Sequence, residues 1–114
     1  MKKLVFISFA LFLAASCTKA KAPVSIITAD CQDTIKFSTQ ILPMITENCF
    51  SCHDEGMGQS PVLSNHATIM SHAELMLKAM KGEGAPQMPQ GADPLPDSLI
   101  QQFSCWIAQG KQDN

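Results

Sequence analysis

The run Cys49-Phe50-Ser51-Cys52-His53 sets two thiols about one helical turn apart, with an imidazole directly after the second. Residues three apart on a helix face the same way. Both thiols can therefore reach one object lying against that face, with the imidazole beside it. The chain around this run is short. Its 114 residues give room for one small domain. A domain of that size buries only about 60–65% of the surface its unfolded chain exposes, so a bound group or a covalent staple would supply much of its core.

Three chemistries use such a run. A zinc site needs two more ligands in a closed geometry, and the sequence has no second Cys-x-x-Cys and no His-x-x-x-His. A redox dithiol sits between a strand and a helix, but no segment here alternates with the period of two that a strand requires. The third is covalent haem attachment, in which two thiols bond to the two vinyl groups and the adjacent imidazole donates a lone pair to iron. The reading is one covalent haem c held by Cys49 and Cys52, with His53 as an axial ligand of the iron.

The beginning of the chain reads as an export signal. Lys2 and Lys3 precede an apolar run, Leu4 to Ala15, which is shorter than the ~20 residues a membrane span needs. Ala14-Ala15-Ser16-Cys17 follows as a small-residue junction ending in cysteine. We expect residues 1–16 to be a signal peptide, Cys17 to be lipidated, and 17–30 to be a flexible tether to a domain over 31–114. That puts the protein in a bacterial cell envelope, on the periplasmic side or at the outer membrane, held by its lipid anchor. Cleavage after Ser16 to give a soluble periplasmic protein is the alternative. With Cys17 acylated and two thiols on haem, Cys31 and Cys105 remain for a disulfide, or else for an intermolecular bridge or exposed thiols. On a helical wheel Cys105 lies about 200° from Phe103, away from the apolar stripe.

Charge narrows the partners. From Cys17 onward there are six Lys and ten Asp or Glu, a side-chain balance of −4, so a charge-steered redox partner should present a basic face. There is no Arg, no basic run and no aromatic interleaving, which argues against nucleic acid.

Apolar spacing predicts an all-α domain. Ile41, Leu42 and Ile45 mark a helix over Ser38–Asn48, with Ser38 or Thr39 as its cap and Pro43 near its start. Residues 54–61 form a Gly-rich loop. Ser64–Lys81 is helical with a break near Ser71, and Gly82 ends it. Residues 82–97 hold three Gly and four Pro and read as a loop. Over Leu95–Ala108 the residues Leu99, Ile100, Phe103, Trp106 and Ile107 fall on one helical face.

A second axial ligand has several candidates. Met88 stands between Pro86 and Pro89 in a stiffened loop, far enough from His53 to reach the opposite side of a haem. Met57 is only four residues after His53, too few to circle a haem edge. Met70, Met76 and Met80 sit at helical spacing, where methionine is usually core filler. His66 and His72 read as solvated side chains on a polar helix face.

Taken together, Ile41 to Ile45 before the motif, Cys49 to His53, Met88-Pro89, and Trp106-Ile107 with Gly110 resemble the small bacterial class I cytochromes c, in particular their lipoprotein forms. The likeness covers about residues 31–114. It departs at Pro96, where such proteins often carry Ser or Thr as a helix cap. The resemblance implies a cytochrome c-like fold in which the first and last helices cross beside the haem, with Trp106 near a haem edge. A His53/Met88-ligated haem has no open position, which implies electron transfer rather than catalysis. A haem-based sensor, or a haem enzyme subunit with a labile sixth ligand, is the alternative.

Overall fold

A computed structural model describes residues 31–114, and the expected signal peptide, Cys17 and the tether up to residue 30 lie outside them. Helices Leu42–Asn48 (α1), Phe50–His53 (α2), His66–Lys81 (α3) and Asp97–Ala108 (α4) carry the domain, preceded by a π-helical turn, Phe37–Ile41. Among the described residues there is no strand, and no helix is long and apolar enough to cross a membrane.

The longest helix, α3, starts where the sequence offers a cap. The Asn65 side chain accepts the Thr68 N–H at 3.0 Å, satisfying a donor the first turn leaves unpaired. No break occurs at Ser71. Its hydroxyl donates to the Thr68 carbonyl at 2.9 Å, so the group that competes with the helical backbone is satisfied within the helix. Ile69, Ala73, Met76 and Met80 repeat at helical spacing and are buried. At the other end Gly82 takes φ +67°, a conformation side chains disfavour. There the Gly82 N–H reaches the Ala79 carbonyl and the Glu83 N–H reaches that of Lys78, a Schellman closure.

Helix α4 begins at Asp97, not at Leu95. Pro96 has no capping side chain, but its own carbonyl accepts the N–H groups of Leu99 and Ile100. Phe103 and Trp106 are completely buried, and Leu99, Ile100 and Ile107 pack on the same core at its margins.

The first helix is not capped by Ser38 or Thr39. Asn114 does this from the far end of the sequence: its side-chain oxygen accepts the Phe37 N–H at 2.7 Å and its backbone oxygen accepts that of Ser38 at 2.9 Å. The Ile41 N–H reaches back five residues to the Lys36 carbonyl, ahead of Pro43. A proline ring clashes with the carbonyl four residues before it, and a widened turn there relieves that crowding.

Segment 31–38 and segment 109–114 are knitted to α4. Gln109 accepts the Ile35 N–H and donates to the Asp33 carbonyl, each at 2.8 Å. The Trp106 indole donates to the Gln112 carbonyl at 3.0 Å. Phe37, Trp106 and Phe103 stack in series, with centroids 5.7 and 5.5 Å apart. His66 is not solvated: it meets Phe37 edge-on at 4.7 Å, and its Nε2 donates to the Lys111 carbonyl at 2.8 Å.

Candidate functional site

The Cys49–His53 run occupies a bend between two short helices. α1 ends at Asn48, Cys49 turns the chain, and the N–H groups of Cys52 and His53 both return to the Cys49 carbonyl. The His53 carbonyl then accepts the Leu63 N–H at 2.8 Å, folding the Gly-rich loop back on the motif.

That return places the Pro61 carbonyl 2.8 Å from His53 Nδ1. A carbonyl only accepts, so Nδ1 must carry the proton. In a neutral ring Nε2 is then the bare nitrogen, with its lone pair available. A hydrogen bond of this kind fixes the ring and raises its basicity toward a metal.

His53 and Cys49 form one wall of a cleft of about 180 Å³. Pro61 and Leu63 continue that wall. Met76, Ala79 and Met80 of α3 line it as well, and Pro86, Met88 and Leu95 add to the lining from the 82–96 loop. Met88 is positioned through its backbone, whose N–H donates to the Ala79 carbonyl at 3.0 Å. Its side chain is half-buried, whereas Met76 and Met80 are buried. Met57 and Met70 are exposed and take no part in the wall.

The two motif cysteines differ. Cys49 lines the cleft, and burial pushes its thiol up to about 11, so it is protonated at neutral pH. Cys52 is exposed and outside the cleft wall, with the Ser51 hydroxyl 3.8 Å from its sulfur. Cys31 and Cys105 are bonded to each other, with Cα atoms 5.4 Å apart. Cys105 is buried although it faces away from the apolar stripe, because segment 31–35 covers that side of α4. Trp106 is not in the cleft wall.

The cleft suits an apolar group that can accept a nitrogen ligand. Its lining is almost wholly apolar, the His53 Nε2 is free of any protein donor, and the Met88 thioether shares the same space. Cys49, His53 and Met88 in the lining are of the types that could hold a haem, with Cys52 exposed outside it. They do not fit a bare metal ion, since among the described residues no three His, Cys, Asp or Glu side chains cluster to hold one. Two features of the wall were not legible in the sequence. The Pro61 carbonyl is a backbone group with no signature, and His72, which the sequence reads as a solvated side chain, is half-buried and lines the cleft.

Comparison with family models, with curated proteins and with solved structures gives no match for this chain.

Proposed function

We propose that residues 31–114 form a haem c domain that carries single electrons in the bacterial cell envelope. The observation that supports this most is His53: Nδ1 is tied to the Pro61 carbonyl, and the ring stands in an apolar cleft beside Cys49 with Met88 in the same lining. Cys49 and Cys52 would hold the group through thioethers. His53 would hold the iron through its Nε2 lone pair and Met88 through its thioether, a ligand pair that would leave no open position for a substrate. Bound there, haem supplies a one-electron ferric/ferrous couple. Leu63, Met76, Met80 and Leu95 keep water from the site and lower its dielectric. The excess of carboxylates favours a redox partner with a basic docking face.

Acid-acetone extraction of the purified protein tests the covalent claim. The haem should stay with the polypeptide, and Cys49→Ala with Cys52→Ala should abolish that retention. Free haem in the organic phase would end the proposal. A reduced-minus-oxidised spectrum that is indifferent to carbon monoxide is expected; rapid binding by the wild type would favour a sensor or enzyme with a labile sixth ligand. The lipid anchor rests on Cys17, so Cys17→Ser should move the protein from the membrane to the soluble fraction. Unchanged partitioning would rule that anchor out.

A further inference from the structure

His72 is the second imidazole of the cleft wall, and its environment resembles that of His53. Its Nδ1 lies 2.8 Å from the Thr68 carbonyl and 3.0 Å from the Ser71 hydroxyl. The Ser71 proton is already directed at the same Thr68 carbonyl, so both neighbours of Nδ1 accept and Nδ1 is the donor. The only ring nitrogen left for another group is Nε2.

The haem reading raises a requirement that the rest of the wall does not meet. Haem carries two carboxylates, and a carboxylate against an apolar wall is costly unless it is hydrogen-bonded or paired. The protein has no Arg, and no Lys lines the cleft. Of its polar side chains, Cys49 and His53 are committed to the group's vinyl edge and iron, which leaves Ser60 and His72. Ser60 is neutral. His72 can offer a charge-assisted bond, because an Nε2 that donates to a carboxylate while Nδ1 donates to Thr68 belongs to an imidazolium.

We propose that His72 is a positioning residue that holds a haem carboxylate through a protonated Nε2, and so fixes which edge of the haem faces α3. This rests on the haem proposal. The test uses the full haem-loaded chain and reads the propionate bending mode by resonance Raman, with the reduction potential alongside. His72→Phe keeps a ring of similar size without nitrogen. It should retain acid-stable haem and the near-infrared ligand band, while the propionate mode moves to lower frequency. The potential should fall, because an unpaired carboxylate favours the ferric iron. His72→Gln, which restores an N–H donor, should bring both back toward wild type. In wild-type protein carrying ¹⁵N-histidine, both His72 nitrogens should be protonated at neutral pH, a result that needs no variant to fold. A bare Nε2 in that measurement, a propionate mode unmoved in His72→Phe, or loss of the near-infrared band in that variant would each overturn the assignment. Loss of the band would make His72 an iron ligand. Wild type lacking covalent haem would overturn the haem proposal and this one with it, whereas loaded haem with an unmoved mode sinks this one alone.

Discussion

The face knitted around α4 and the face that holds the cleft use their polar groups differently. Around α4, the Gln109 amide, the Trp106 indole, the His66 Nε2, and the Phe37 and Ser38 N–H groups each have a partner within the chain, and Cys31 is bonded to Cys105. That face is complete. In the cleft, two imidazoles are each fixed by one nitrogen only, a partly buried thiol is kept from ionising by desolvation, and a thioether stands on a loop. The contrast separates what a chain spends on its own stability from what it holds in reserve for another molecule.

The largest effect that would test this separation comes from the complete face. Cys31 and Cys105 close a loop with a sequence separation of 74, which on the chain-entropy account stabilises the fold by about 4 kcal/mol. Cys31→Ser with Cys105→Ser should lower the urea midpoint accordingly while leaving the visible spectrum of the haem unchanged. If the spectrum shifts as much as the midpoint does, the two faces are not independent.

Met88→Ala makes the converse test. Covalent haem should remain, since Cys49, Cys52 and His53 are untouched. The near-infrared band of a His/Met ferric haem should vanish, carbon monoxide should bind the reduced form, and the potential should drop. Met80→Ala, although it creates a core cavity worth about 2–5 kcal/mol, should keep the band. The opposite pattern would move the ligand to Met80.

The smallest effect is confined to the haem-free chain. Burial raises the Cys49 thiol from 9.0 to about 11 in the folded state, so the fold binds that proton more tightly than the unfolded chain does. Its contribution to stability is intact below pH 9 and is lost as pH rises toward 11. Thiolate absorbance in the apo protein should therefore show one late midpoint that unfolding in urea abolishes. Once the sulfur is a thioether, no such titration remains. A Cys49 midpoint near 9 in the folded apo chain would contradict the burial.

Much of this was legible where the cause is local. The end of α3 follows from Gly82, the start of the last helix was off by only two residues, and the stripe through Phe103 and Trp106 is where its spacing puts it. One departure is local, the unbroken α3 at Ser71, whose hydroxyl is satisfied by the Thr68 carbonyl; the others below are long-range. Ser38 and Thr39 look like caps until Asn114 arrives from the other end of the sequence. Cys105 looks exposed on a wheel because a wheel knows one helix and not the segment covering it. His66 reads as polar surface, yet the aromatic rings it meets are Phe37 and Trp106, both distant in sequence. At the site, the motif and Met88 could be singled out from residue types, whereas the groups that orient them, Pro61 O and Ala79 O, are backbone atoms that any residue would supply.

The Ala79 carbonyl receives two N–H groups, from Gly82 at 3.1 Å and from Met88 at 3.0 Å. Gly82 and Met88 thus meet at one oxygen on the last turn of α3, and Glu83 is held beside them through its N–H on the Lys78 carbonyl. The place of Met88 along the helix is set at this clasp, while Ala85 and Pro86 between its ends line the cleft. A residue added or removed between those ends would reshape that rim of the cleft while the clasp keeps Met88 over the same turn. The interval between Cys49 and Pro61 has no such slack, because His53 is tied to that loop through both its ring and its backbone. Length can therefore change between Glu83 and Met88 at one rim of the cleft with less effect on His53 than a change between Cys49 and Pro61 would have.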